Sequence, residues 1–337
     1  MKKPLKLALI SLLLFMVVVS AACAASDAGG SPQEAGSDGP VKATLAGGSP
    51  TGMLFMVCTG VSECVNKSYP GSAVTIVPGS VAANVIRIND NEVDAGMAHS
   101  AMLFAAANGK APYNEVLDNT AAVASLYSST YQIVLNSRLG IDSFGEMIKN
   151  KEKVRLSIDQ PGSSASVAFE RLLGEYGATI EDFESWGGEI VQKSQEDSAA
   201  MLSDGFIDGY AMQTLCPARA IQESAAGQEL TLLSFEPGII GNMVDKYGYE
   251  WIIIPKEAYD FMDQDVESFS TNTVLTVPAD APDDLAYKLA RSLVENIDYM
   301  REIHAGLKGL TPEGMASETG VPLHPGAEKY YREIGIL

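Results

Sequence analysis

The feature that most constrains this chain is a strand–loop–helix unit that occurs twice. "VKATLAGGS" reads as a strand running into a small-residue loop, with the helix "TGMLFMVCTGVSECVNK" behind it. "KVRLSIDQPGSSASVAFERLLGEYG" restarts the same plan further along. One offset carries Gly48-Ser49 onto Gly162-Ser163 and Phe55 onto Phe169. The same offset lays "NDNEVDAGMAH" over "SDGFIDGYAMQ", matching Asp90 with Asp204, Asp94 with Asp208 and Val93 with Ile207. Two copies of so long a unit imply two similar lobes, not a short-period solenoid.

Between these units strands and helices alternate, the pattern of an α/β sheet. "GSAVTIVPGS" is a strand entering a loop, "VAANVIRI" a short helix, "VDAGMAHS" a strand end, and "AAVASLYSSTYQIVLNS" extended. The late segment from Thr273 is a strand, a Pro/Asp turn and one long amphipathic helix, with Leu285, Leu289, Leu293 and Ile297 on one face. A chain that returns late to cover its first lobe crosses twice between lobes, which makes a hinge. The expected organisation is a leader over 1–22 and a flexible tether over 23–40. Lobe I then takes 41–130 and 256–337, and lobe II takes 131–255.

In each lobe the helix N-terminus sits at the carboxyl end of a sheet, where ligands bind in open α/β folds. Free backbone amides and the positive end of the helix dipole bind an anion there without a cationic side chain. "PGSSAS" offers Ser163, Ser164 and Ser166 for a carboxylate, with ordinary N-capping as the bland alternative. "GGSPTG" is its counterpart, and His99 and Gln213 fall on equivalent strand ends that would face the ligand.

The N-terminus reads as a processing signal. Lys2, Lys3 and Lys6 precede an apolar run, Leu7 to Val19, that is short for a membrane span. "SAAC" offers lipidation of Cys23 or ordinary cleavage after Ala24 or Ala25, and lipidation is favoured. The Gly/Ser/Asp-rich "ASDAGGSPQEAGSDGP" suits a surface tether. A net charge of −20, from 43 acidic and 23 basic residues, makes nucleic acid and anionic lipid poor partners. Cys58, Cys64 and Cys216 show no metal-binding or C-x-x-C spacing and read as small buried apolar residues.

From Val41 to Leu337 the chain resembles the TAXI family, the TRAP-associated extracytoplasmic solute receptors. The likeness rests on "GGSPTGMLF", "PGSVAANVIRINDNEVDAGMAHS", "RLSIDQPGSSASVAFERLLGEYGA", "FIDGYAMQTLCPARAIQE" and the tail ending "VPLHPGAEKYYREIGIL", in that order. The resemblance implies an α/β, bilobal periplasmic-binding-protein-like fold of type II, two α/β lobes joined by a hinge with the ligand cleft between them. It implies a non-enzymatic, monomeric receptor outside the cytoplasmic membrane, without cofactor or metal. Such a receptor closes on a small carboxylate, glutamate-like among the candidates, and delivers it to TRAP permease subunits.

The family's ligand loops fall on Gly48, Ser49, Thr51 and Gly52, on His99 and Ser100, on Ser163 to Ser166, and on Thr214 to Pro217. Phe55 and Leu54 stand where two tyrosines are usual, and His99 where glutamine is common. Such swaps change which polar groups a ligand must satisfy. Ser163, Ser164 and Ser166 are then expected on the carboxylate, with Thr51, Phe55, His99, Ser100 and Thr214 on the rest. His99 is expected to add charge at mildly acidic pH.

Other classes fit less well. No G-x-S-x-G elbow occurs, and His99 and Ser100, as strand neighbours, point to opposite faces. His304 and His324 suit exposed or capping roles. "DQDVES" lacks the glycine and spacing of an EF-hand loop. A surface sensor or adhesive lipoprotein without a transport role is the remaining alternative.

Overall fold

A computed structural model describes residues 37–317 and 319–337. The leader, Cys23 and most of the tether lie outside the described residues. The first half of the chain runs β1 (Lys42–Ala46), α1 (Met53–Ser68), β2 (Ala73–Val77), α2 (Val81–Asn89), β3 (Ala95–His99) and α3 (Ser100–Ala107). It crosses on β4 (Ala121–Asn136), a strand of 16 residues. The second half holds α4 (Phe144–Lys149), β5 (Arg155–Ser157), α5 (Ser164–Glu175), α6 (Ile180–Ser185), β6 (Glu189–Val191) and α7 (Gln195–Ser203). It continues through β7 (Gly209–Thr214), α8 (Arg219–Ala225), β8 (Leu230–Leu232), α9 (Pro237–Tyr247) and β9 (Glu250–Ile254). β10 (Val266–Val277) returns it to α10 (Asp283–Glu295), α11 (Ile297–Ile303), α12 (Pro312–Met315) and α13 (Pro325–Glu333).

The sheet order is β2-β1-β3-β10-β4-β7-β5-β6. β2-β1-β3 is a parallel set, and β6-β5-β7 repeats it on the other side. β10 and β4 lie antiparallel between them, each long enough to serve both halves. The internal repeat therefore has a structural basis. α2 and α7 match residue for residue at the sequence offset, and each is capped by a serine side chain, Ser80 and Ser194. Asp94 and Asp208 also repeat one role, each bonding with its backbone and carboxylate to the neighbouring strand. Asp94 grips Thr44, and Asp208 grips Arg155.

The offset fails at the first loop. Leu45 pairs with Ala95 as Leu156 pairs with Gly209, so β1 and β5 align Leu45 with Leu156. The N-cap of α1, Gly52, then matches the N-cap Ser163, and Ser49 matches Gln160. The Gly48-Ser49 match to Gly162-Ser163 is displaced by about one helical turn. α5 is shorter than α1, 12 residues against 16, and the chain after α5 adds α6 before β6, where the first half runs straight into β2; that longer connection raises the offset before the next strand.

Two further expectations change. Tyr259 and Val266 pack with Ile207 and Tyr210, and Phe269 packs with Tyr131 and Phe144. Residues 256–269 thus belong with the second half, and the chain returns to the first only beyond them on β10. The long C-terminal helix is broken at Asn296, whose side-chain amide donates to the Ser292 carbonyl and to Ser68 Oγ. Leu289 and Leu293 still bury one face of α10 against Val61 and Val65 of α1. Burying such a leucine is worth about 1.5–3 kcal/mol.

The end of the expected tether is docked. Ser37 bonds Asp284 through its amide at 2.9 Å and accepts from Lys288 Nζ at 2.8 Å. Cys58, Cys64 and Cys216 are free thiols. Burial pushes the Cys58 and Cys64 thiols up to about 12, which makes them inert. His304 and His324 each accept a backbone N–H through Nδ1 and cap a following turn. Among the described residues no helix is long and apolar enough to cross a membrane.

Candidate functional site

The carboxyl ends of β1, β3, β5 and β7 open onto one cavity of about 90 Å³. A water needs on the order of 10–15 Å³ of such space, so a small molecule fits. A larger cavity of about 640 Å³ adjoins it and shares Met53, Gln195, Glu196 and Thr214.

Five N-cap residues line the smaller cavity: Gly52 of α1, Ser80 of α2, His99 of α3, Ser163 of α5 and Ser194 of α7. The first amides of a helix have no acceptor in a preceding turn, and the aligned dipoles amount to about half a positive charge at each helix N-terminus. The helix ends therefore contribute positive potential although, among the described residues, no Lys or Arg lines the cavity. The serine side chains partly cap their own helices. Ser163 Oγ accepts from the Ser166 amide at 3.2 Å, and Ser194 Oγ from the Asp197 amide at 3.1 Å. That leaves amides of the first turns to face a ligand. The first loop is held by Asn84, fully buried, whose side-chain amide donates to the Gly47 and Met97 carbonyls at 2.8 Å each.

Two buried side chains in the lining have polar atoms without a hydrogen-bond partner among the described residues. His99 is 2% exposed with both ring nitrogens unpaired, and Gln213 has an unpaired Oε1. A buried polar group left unpaired costs about 1–3 kcal/mol. Burial also lowers the His99 pKa to about 3, so the ring is neutral at mildly acidic pH and the expected charge does not develop. Asp159, in the left-handed region at φ 70°, and Glu196 bring two carboxyls to the lining. Burial raises the Asp159 pKa above the usual carboxylate range, against hydrogen bonds from Gln160 and Gln195 that lower it.

Of the residues expected at a ligand, Gly48, Ser49, Gly52, His99, Ser163, Ser164 and Thr214 meet around this cavity. Thr51 lines the adjoining cavity, and Phe55 a third one beside Tyr299 and Ile303. Leu54, the other tyrosine replacement, faces the first cavity. Ser100, the first residue of α3, points away from the cavity, and its Oγ bonds Thr271 Oγ1 and the Asn272 amide. Ser166 is buried beneath the loop, where its Oγ donates to the Ser163 carbonyl. Sequence reasoning missed Ser80, Ser194, Asp159 and Glu196. The serines carried a legible signal, because both open helices that match at the offset. Asp159 was hidden by the displaced loop alignment.

A model of the NMT1-like family matches residues 45–335. Among solved structures, PhnD1 from Prochlorococcus marinus, in complex with methylphosphonate, is similar with a TM-score of 0.51 and 12% identity. The match covers 89% of this chain and 100% of that one. The periplasmic binding protein BugD is similar with a TM-score of 0.52 and 14% identity, over 88% of this chain and 98% of that one. At such identities the likeness carries the fold: two α/β halves around a cleft, the type II periplasmic-binding-protein architecture. With the family match spanning nearly all of the described residues, the chain belongs to the NMT1-like family.

Proposed function

We propose that this protein is an extracytoplasmic solute receptor that captures a small carboxylate in the cavity between its halves and delivers it to a TRAP-type membrane permease. The observation that carries the reading is the convergence of five helix N-termini on a cavity in which buried His99 and Gln213 have unpaired polar atoms. A carboxylate would take the amides of the first turn of α5, and His99, Gln213 and Thr214 would read the rest. The free thiols Cys58, Cys64 and Cys216 lie outside this lining, which favours binding over thiol catalysis. The two long strands, β4 and β10, are the natural hinge. Lobe I would take 41–130 with the chain beyond β10's crossing, and lobe II the segment between. Closure would bury the solute and present a surface that the permease recognises. Cys23 would anchor the chain at the membrane through lipid.

A stabilisation screen tests this directly. Amino acids, dicarboxylates, keto acids and aromatic acids are added to the purified protein, with native mass spectrometry beside it for solute carried through purification. At 100 times its dissociation constant a true ligand adds about 2.7 kcal/mol of stability. A protein that neither shifts with any carboxylate nor carries one would overturn the reading.

A further inference from the structure

The field from five helix ends is only half of the electrostatics of this cavity. Asp159 enters it from the end of β5, and the groups that hydrogen-bond its carboxylate, Gln160, Gln195 and the Ser163 hydroxyl, are all neutral. Oδ1 accepts from the Gln160 amide at 2.7 Å, and Oδ2 from Gln195 Nε2 at 3.2 Å. An ionised carboxyl accepts about four hydrogen bonds, so it has capacity left. Glu196, in the first turn of α7, adds a second acid, and no Lys or Arg in the lining answers either one. Two carboxyls and no cation disfavour a doubly charged anion by like-charge repulsion. The unpaired atoms of His99 and Gln213, both more than nine-tenths buried, mark the same cavity as a place where a polar ligand is bound.

We propose, resting on the receptor reading above, that Asp159 is the counter-charge for a protonated amine on the bound solute. The carboxylate of the solute lies at the helix ends and its ammonium at Asp159, so the cavity takes a zwitterion and rejects dicarboxylates and 2-oxo acids.

Matched probes separate the two halves of this statement. Calorimetry compares L-glutamate with 2-oxoglutarate, L-leucine with 4-methyl-2-oxopentanoate, and L-phenylalanine with phenylpyruvate, with succinate and putrescine as single-charge-type controls. The expected result is an amino acid that binds about 10- to 100-fold tighter than its 2-oxo partner. Asp159→Asn should erase that preference. Asparagine tolerates the left-handed conformation as aspartate does, so this variant should fold, and an unchanged melting temperature checks it. A 2-oxo acid or succinate that binds as tightly as the amino acid overturns the proposal and leaves the receptor reading intact. So does an Asp159→Asn variant that keeps the preference. Putrescine binding without any carboxylate would retain Asp159 and overturn the carboxylate. Silence from every probe overturns the receptor reading itself.

Discussion

His99 and Gln213 hold equivalent positions at the carboxyl ends of β3 and β7, and each offers a buried polar atom without a partner among the described residues to the same cavity. The pair follows from the duplicated plan, since the same offset relates the strands and the helices before them. One half contributes a ring and the other an amide, so the cavity is chemically asymmetric although its frame is nearly symmetric. A ligand is therefore read in one orientation.

The neutral state of His99 gives a pH test. Its pKa falls from 6.5 in the unfolded chain to about 3 in the folded one. The unfolded state then binds more protons across that window, so stability is greatest above about pH 6.5 and is lost as pH falls towards 3. His99→Gln should flatten this part of the stability curve in acid titrations followed by circular dichroism. Ligand affinity of the unaltered protein should stay level between pH 5 and 8. A rise in affinity on acidification would mean that the ring protonates in the complex.

Asp208 makes the opposite kind of prediction. The Arg155 side chain, with Arg138 beside it, holds the Asp208 carboxyl down at about 2. Its folded pKa lies below the unfolded value of 3.8, so its contribution is complete above that value and lost as pH falls towards 2. Arg155 is more than one-third exposed, so solvent screening limits the effect of Asp208→Asn to about 1 kcal/mol at pH 7. Asp94→Asn, which removes a carboxylate that accepts the Thr44 amide, is the control. In urea melts Asp208→Asn should cost more stability at pH 7 than at pH 3, by a wider margin than Asp94→Asn, and a cost that is the same at both pH values would remove the arginines from the explanation.

The sequence made the frame legible because strands, helices and the Asp94/Asp208 pair recur at one spacing, and a recurring burial pattern demands a recurring fold. The first loop was misread for a physical reason. Gly, Ser and Pro carry no burial pattern, so "GGSPTG" and "QPGSSAS" fit each other in more than one register. Phe55 was misplaced by the same loop, since the rotation of α1 about its axis sets whether Leu54 or Phe55 meets the cavity. The return of the chain along β10 was not legible, because Tyr259, Val266 and Phe269 would be apolar in either half.

The helix end can be tested without touching a charged group. Ser164 opens α5, and Ser163 before it has φ −71° and ψ 158°, which a following proline favours. Proline is well accepted at the first helical position, so Ser164→Pro deletes one free amide and one hydroxyl with little change in stability. Affinity for a carboxylate solute should fall about tenfold. Ser164→Ala keeps the amide and should lose less. Calorimetry that finds the two variants equal would assign the loss to the hydroxyl or to packing.

Closure leaves its own mark at Gly162. Its carbonyl accepts from the Ala82 amide at 3.4 Å, and a Cβ added there would come 3.3 Å from Ser80 Oγ. Val167 of α5 packs with Val81 of α2 beside this contact. These groups join the two halves across the cleft, so an opening about β4 and β10 would separate them. Gly162→Ala adds a crowded contact that exists only in the closed form, costing on the order of 1 kcal/mol and about fivefold in affinity. It also strains a backbone at φ 72°. Gly177→Ala imposes that strain at φ 70° with nothing within 4 Å, and so serves as the control. Both variants should lose similar stability, and only Gly162→Ala should bind its solute more weakly. Small-angle scattering should show the unaltered protein contracting when solute is added. Equal affinities in the two variants, with no contraction, would mean that the halves do not move apart in the ligand-free protein.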